Sequence, residues 1–221
     1  MALWQPLSPS IEDDLAQERI VRNLPNVLSF GRLFATIPLV VLILINLPVA
    51  FMAATVLFFL GSVTDTLDGR LARKYHLVTR LGVFLDLTAD KVFVSAALVA
   101  LVQVTLVPAW IAIVIVTREY IVAGMRQIAA AQGVVIPAGR WGKQKTFLTL
   151  TAIGGILLAR GLNGHTAFPF GLSTGHNPHA FSDYLLGLAD VILLLAVVWT
   201  IFSAVEYLRG AKGVLTEPAE S

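Results

Sequence analysis

Apolar runs of membrane-spanning length recur along almost the whole 221-residue chain, and much of its charge gathers at their ends and in the terminal segments. In lipid a backbone must satisfy its own hydrogen bonds, so each run is restricted to a helix of about 20 residues. Six segments meet that requirement: 26–45, 50–74, 82–105, 109–131, 142–160 and 184–208. Pro38 is placed to kink the first, residues 46–48 (Asn-Leu-Pro) separate it from the second, and Val107-Pro108 turns the third tightly into the fourth. Only 14% of the residues are charged, against roughly a quarter in a soluble domain. The fold class expected is an all-α integral membrane protein with six transmembrane helices, its membrane domain covering residues 26–208.

Residues 1–25 form an N-terminal cytoplasmic segment that lacks the layout of a signal peptide, because the acidic stretch SIEDDLAQERIVRN precedes the first apolar run. Ser10 and Asp13 resemble a capping box, and Ile11, Leu15, Ile20 and Val21 fall roughly on one face, which reads as a short interfacial helix. Residues 209–221 read as a polar cytoplasmic tail. The absence of cysteine excludes disulfides, thiolate metal sites and a cysteine nucleophile, and a net charge of +2 gives no reason to expect a nucleic-acid partner.

Basic residues set the orientation. Arg19 and Arg22 precede the first helix. Arg70, Arg73, Lys74 and Arg80 join the second and third, and Arg126, Arg140, Lys143 and Lys145 join the fourth and fifth. The breaks at 46–50 and 106–108 carry none. All the basic clusters therefore lie on one side, the cytoplasm, together with both termini. The external loop of about 161–183 contains His165, His176 and His179, which read as solvated loop residues far from the chemistry.

Four aspartates lie toward the cytoplasmic side. Asp65, Asp68, Gly69, Ala72 and Arg73 share one face of the second helix, and Gly82, Asp86 and Asp90 share one face of the third. The connection between them is short, so the helices are antiparallel neighbours whose acidic faces can converge. Four facing carboxylates repel one another, and ionisable groups at membrane depth are usually functional. A pair of hard divalent cations, Mg²⁺ or Mn²⁺, resolves the repulsion and suits phosphoryl transfer. The small residues leave room for a ligand, and Arg73 can meet a phosphate.

The same residues carry a resemblance. DTLDGRLAR, eight further residues and GVFLDLTAD match all eight fixed positions of D-x-x-D-G-x-x-A-R-x8-G-x-x-x-D-x-x-x-D, the signature of the CDP-alcohol phosphotransferase family. Membership implies displacement of CMP from a CDP-linked lipid or alcohol, six transmembrane helices, two divalent ions, a cytoplasmic active site and a homodimer. By motif correspondence it implies metal binding by Asp65, Asp68, Asp86 and Asp90, with Asp90 also the general base. Gly69, Ala72, Arg73 and Gly82 would line the CDP site, as would Asn26, Ser29 and Arg32 at the start of the first helix.

The segments NLPNVLSFGR, LDLTADK, TREYIVAGMRQIA and GRWGKQKT resemble the bacterial phosphatidylglycerophosphate synthases of that family, although LDLT has leucine after the aspartate, where that group commonly has proline. This implies CDP-diacylglycerol as donor, glycerol 3-phosphate as acceptor and a bacterial plasma membrane as location. Arg118, Arg126, Arg140, Lys143 and Lys145 supply the cationic cluster that a phosphate dianion requires. Glu119 can orient an arginine. The readings that stay open are another acceptor (phosphatidylglycerol, inositol phosphate or serine) and a divalent-cation transporter. A transporter would show broken or repeated helices with polar residues at the midplane, whereas the acidic cluster here lies at the cytoplasmic end.

Overall fold

The computed structural model describes residues 29–74, 80–131, 140–163 and 181–216, with side chains except those of 65–74, 80–87, 131, 140, 141, 143 and 210–216. The N-terminal segment with its interfacial helix and the histidines of the external loop therefore lie outside the described residues. All regular structure among the described residues is helical: α1 (Ser29–Ile45), α2 (Pro48–Lys74), α3 (Arg80–Gln103), α4 (Ala109–Ala131), α5 (Arg140–Gly161) and α6 (Phe181–Thr216).

These are the six expected segments, with shifted ends. The largest shift is at α6, which runs past Leu208 to Thr216, through residues expected in the tail. Single glycines such as Gly210 and Gly213 weaken a helix without stopping it, and the first proline that can stop it is Pro218. Only α6, over Phe181–Arg209, is both long and apolar enough to span a membrane by composition among the described residues; Ser29–Ile45 and Pro48–Thr64 are shorter apolar helices. The others carry ionisable side chains well inside their length, such as Asp90 and Lys91 in α3 or Arg118 and Glu119 in α4.

α5 sits at the centre, packed against α2, α3 and α6, while α4 packs against α3 and α6. Two glycines of α5 permit close approaches to its neighbours. A Cβ on Gly155 would stand 3.0 Å from the Ala189 Cβ of α6, and one on Gly161 would stand 3.0 Å from the Met52 backbone nitrogen of α2. A larger side chain at either position forces those helices apart, because a close-packed interior has no spare volume to absorb it. The core between the helices is aliphatic, built around Leu39, Ile43, Leu98, Ile153 and Leu157, with Phe58 of α2 stacked on Phe93 of α3 at 5.5 Å between ring centroids.

Helices α1, α3 and α5 each end in a residue with positive φ: Asn46, Thr105 and Asn163. At Thr105 the backbone bonds Leu106 N to Leu101 O (3.0 Å) and Thr105 N to Val102 O (3.0 Å) close a Schellman turn, and Pro108 then opens α4. The ends of α1 and α5 are tied together, since Arg160 Nη2 donates to Asn46 Oδ1 at 3.1 Å and its guanidinium lies over Phe51. This clamp lies at the opposite end of the bundle from the aspartate positions.

Candidate active site

The site begins on α1, where Ser29, Arg32, Thr36, Leu39 and Ile43 follow one another at helical spacing and are all buried. One inward face therefore changes from polar at its start to apolar at its end. Thr36 Oγ1 donates to the Arg32 carbonyl at 3.1 Å, as a threonine in an apolar helix does to satisfy its hydroxyl. Arg32 thus places a buried guanidinium at this end of the bundle. Asn26 lies outside the described residues.

α2 and α3 meet where Phe58 and Gly61 face Phe93; a Cβ on Gly61 would stand 2.7 Å from the Phe93 ring. By helical periodicity, positions 65 and 68 continue the Gly61 face of α2, and positions 90 and 86 continue the Phe93 face of α3 in the opposite direction. The side chains of Asp65, Asp68, Gly69, Ala72, Arg73, Gly82 and Asp86 lie outside the description. Asp90 is described. It is half-buried and lines a small cavity of about 40 Å³, enough for an ion or a few waters, with Glu119 of α4 and Lys145 of α5. Among the described residues there is no cluster of three or more metal-ligating side chains, since three of the four aspartates fall outside them. An all-carboxylate donor set of which the described member lines a cavity fits a hard divalent cation.

Three charged groups meet beside Asp90. Lys145 is almost completely buried and is ion-paired with Glu119 Oε1, which also lies 3.4 Å from Arg118 Nη1. Arg118 Nη2 donates to Ser203 Oγ of α6 at 2.6 Å. A single carboxylate thus bridges cations from two helices, and a serine from a third fixes the arginine from the other side. Glu119 shares its single negative charge between the two cations, and the Asp90 carboxylate lines the same cavity, so charges of both signs meet in a partly dry setting where they act strongly. Arg126, two turns beyond Arg118, is exposed, and its guanidinium lies 5.8 Å from the centre of the Tyr207 ring. The side chains of Arg140 and Lys143 are outside the description.

The structure therefore brings together Asp90, Arg118 and Lys145 of the expected site residues, with Arg126 at its edge, while Ser29 and Arg32 are buried on α1. Sequence reasoning gave Glu119 only an arginine to orient; the structure adds Lys145, 26 positions away. Ser203 and Tyr207 were not foreseen, because each contacts its arginine across more than 80 residues of sequence, and no local pattern marks such a pairing.

Comparison with known proteins places this geometry. The chain is 38% identical over 198 residues to the CDP-diacylglycerol–glycerol-3-phosphate 3-phosphatidyltransferase of Bacillus subtilis, covering 84% of this chain and 93% of that protein. It is 35% identical over 195 residues to the protein of the same description from Rickettsia bellii, covering 88% of this chain and 98% of that one. The crystal structure of Mycobacterium tuberculosis phosphatidylinositol phosphate synthase in complex with manganese and citrate shares the fold, with a TM-score of 0.59 at 18% identity over 91% of this chain and 92% of that one. Residues 22–202 match the CDP-alcohol phosphatidyltransferase family, and the chain belongs to that family.

Proposed function

We propose that the protein is an integral enzyme of a bacterial plasma membrane that transfers the phosphatidyl group of CDP-diacylglycerol to glycerol 3-phosphate, releasing CMP. The observation that carries this reading is the Arg118–Glu119–Lys145 cluster, with Lys145 buried and its partners half-buried, lining and adjoining the Asp90 cavity, which supplies cations for a phosphorylated acceptor beside the base. The names of the relatives from B. subtilis and R. bellii support the same donor and acceptor. Membrane residence is supported by large apolar side chains that face outward on several helices, among them Phe34, Phe59, Phe147 and Phe181. Exposing so much aromatic surface to water is unfavourable, whereas in lipid it is neutral. Six transmembrane helices, cytoplasmic termini and a homodimer complete the reading.

The residues divide the work. Asn26, Ser29, Arg32, Gly69, Ala72, Arg73 and Gly82 hold the CDP group at the cytoplasmic end. Arg118 and Lys145, with Arg126, Arg140 and Lys143 toward the cytoplasm, hold the acceptor phosphate and thereby aim its sn-1 hydroxyl. Asp90 takes the proton from that hydroxyl as its oxygen bonds to the lipid-linked phosphorus, and the bond from that phosphorus to CMP breaks. Two divalent cations, Mg²⁺ or Mn²⁺, would be held by Asp65, Asp68, Asp86 and Asp90 and, when bound, neutralise charge on the reacting phosphates. Fixing the acceptor by its phosphate places the hydroxyl by geometry alone, so an alcohol that lacks the phosphate loses its aim as well as its affinity.

The test is CMP release by purified protein given CDP-diacylglycerol, Mg²⁺ and one acceptor at a time. Glycerol 3-phosphate is expected to support release, and inositol phosphate, serine and phosphatidylglycerol to give background. Release with one of the others alone would retain the donor chemistry and overturn the acceptor.

A further inference from the structure

The site as described so far draws its acceptor-binding cations from α4 and α5, yet both described arginines of α4 are met by α6. Ser203 accepts from Arg118 Nη2 at 2.6 Å, and the Tyr207 ring lies under Arg126 at 5.8 Å. Ser203 and Tyr207 are four apart and so share one face of α6, as Arg118 and Arg126, eight apart, share one face of α4. The contacts follow the same order along both helices, as parallel neighbours require. Both α6 residues are buried.

Two donors on this seam remain open. Arg118 is held at Nη2 by Ser203 and at Nη1 by Glu119, but among the described residues its buried Nε has no hydrogen-bond partner, and neither does the buried Tyr207 hydroxyl. A buried donor without a partner is destabilising, and two of them beside the Arg118 and Arg126 guanidinium groups suit a ligand rich in acceptor oxygens. The planar guanidinium presents Nε and an Nη hydrogen along one edge, the geometry that takes a phosphate bidentately. With both Nη groups fixed from the protein side, that edge cannot swing away.

We propose that α6 completes the acceptor-phosphate site: Ser203 locks the orientation of Arg118, and Tyr207 supports Arg126 and offers its hydroxyl as a further donor to the phosphate. This rests on the reading of Arg118 and Arg126 as acceptor-binding residues given above. Ser203 is a positioning residue, acting through Arg118. Its loss therefore falls on the affinity for the phosphorylated acceptor and spares the donor lipid.

The experiment measures KM for glycerol 3-phosphate and for CDP-diacylglycerol separately, with kcat, inhibition by inorganic phosphate and the melting temperature, in wild type, Ser203→Ala, Ser203→Thr and Tyr207→Phe. Ser203→Ala is expected to raise KM for glycerol 3-phosphate about tenfold, the effect of losing one hydrogen bond to a charged group, with kcat and KM for CDP-diacylglycerol within about twofold. Ser203→Thr keeps the hydroxyl and is expected to recover to within about threefold of wild type, while Tyr207→Phe raises the same KM about fivefold. Inorganic phosphate should inhibit both weakened variants less well, in proportion. An unchanged KM for glycerol 3-phosphate in variants that melt with wild type would overturn the proposal, as would a loss shared equally by both substrates. Failure of the underlying reading is seen separately, as a wild-type protein that does not use glycerol 3-phosphate.

Discussion

Asp90→Asn is expected to lower kcat for CMP release by roughly three to four orders of magnitude, the upper part of the range for loss of a general base. The change is nearly isosteric, so the cavity formed with Glu119 and Lys145 keeps its shape. What goes is the ability to accept the proton of the attacking hydroxyl, together with one carboxylate of the cation-holding set. In the proposed reading CDP-diacylglycerol binding draws on other residues, Arg32 of α1 and Gly69, Ala72 and Arg73 of α2 among them, and should be largely retained. The two effects separate in one pair of measurements: single-turnover CMP release, and stabilisation of the folded protein against heat by CDP-diacylglycerol. Near-normal release by Asp90→Asn would remove Asp90 as the base.

Arg118→Ala is expected to raise KM for glycerol 3-phosphate about a hundredfold, the combined effect of losing two charge-assisted hydrogen bonds to one phosphate. The loss exceeds that of one surface cation for a structural reason. Arg118 shares Glu119 with Lys145, and without the arginine the carboxylate pairs with the lysine alone. The site then loses one cation outright, and Lys145 is withdrawn from the phosphate as well. Arg118→Lys is not expected to restore binding, because a lysine cannot contact Ser203, Glu119 and a phosphate with a planar fork. The measurement is KM for each substrate in turn; an increase confined to CDP-diacylglycerol would contradict the assignment.

Much of the fold was legible because long apolar helices announce themselves locally. The lengths of the apolar runs and the breaks at Asn46–Pro48 and Val107–Pro108 located all six helices, and α4 has the expected bounds. The C-terminal end of α6 was misplaced because polar residues were read as tail, although polarity does not end a helix where no breaker stands. The acidic signature was legible for a similar reason: its spacings lie within two consecutive helices, where periodicity alone assigns faces. The bridge from Glu119 to Lys145 was not legible. Glu119 follows Arg118 directly, on a face about 100° round the helix, and its second partner lies on the next helix. Ser203 carries no signal at all, being one of several small polar residues in a long apolar helix. Tertiary packing of α4, α5 and α6 decides these contacts, and no single-segment pattern encodes it.

The most direct test of the central claim is the stoichiometry of products. Purified protein with CDP-diacylglycerol, glycerol 3-phosphate and Mg²⁺ should yield CMP and phosphatidylglycerophosphate in a one-to-one ratio, the lipid identified by its mass and by incorporation of labelled glycerol 3-phosphate. CMP release without label in the lipid, or with a different lipid product, would contradict transfer to glycerol 3-phosphate.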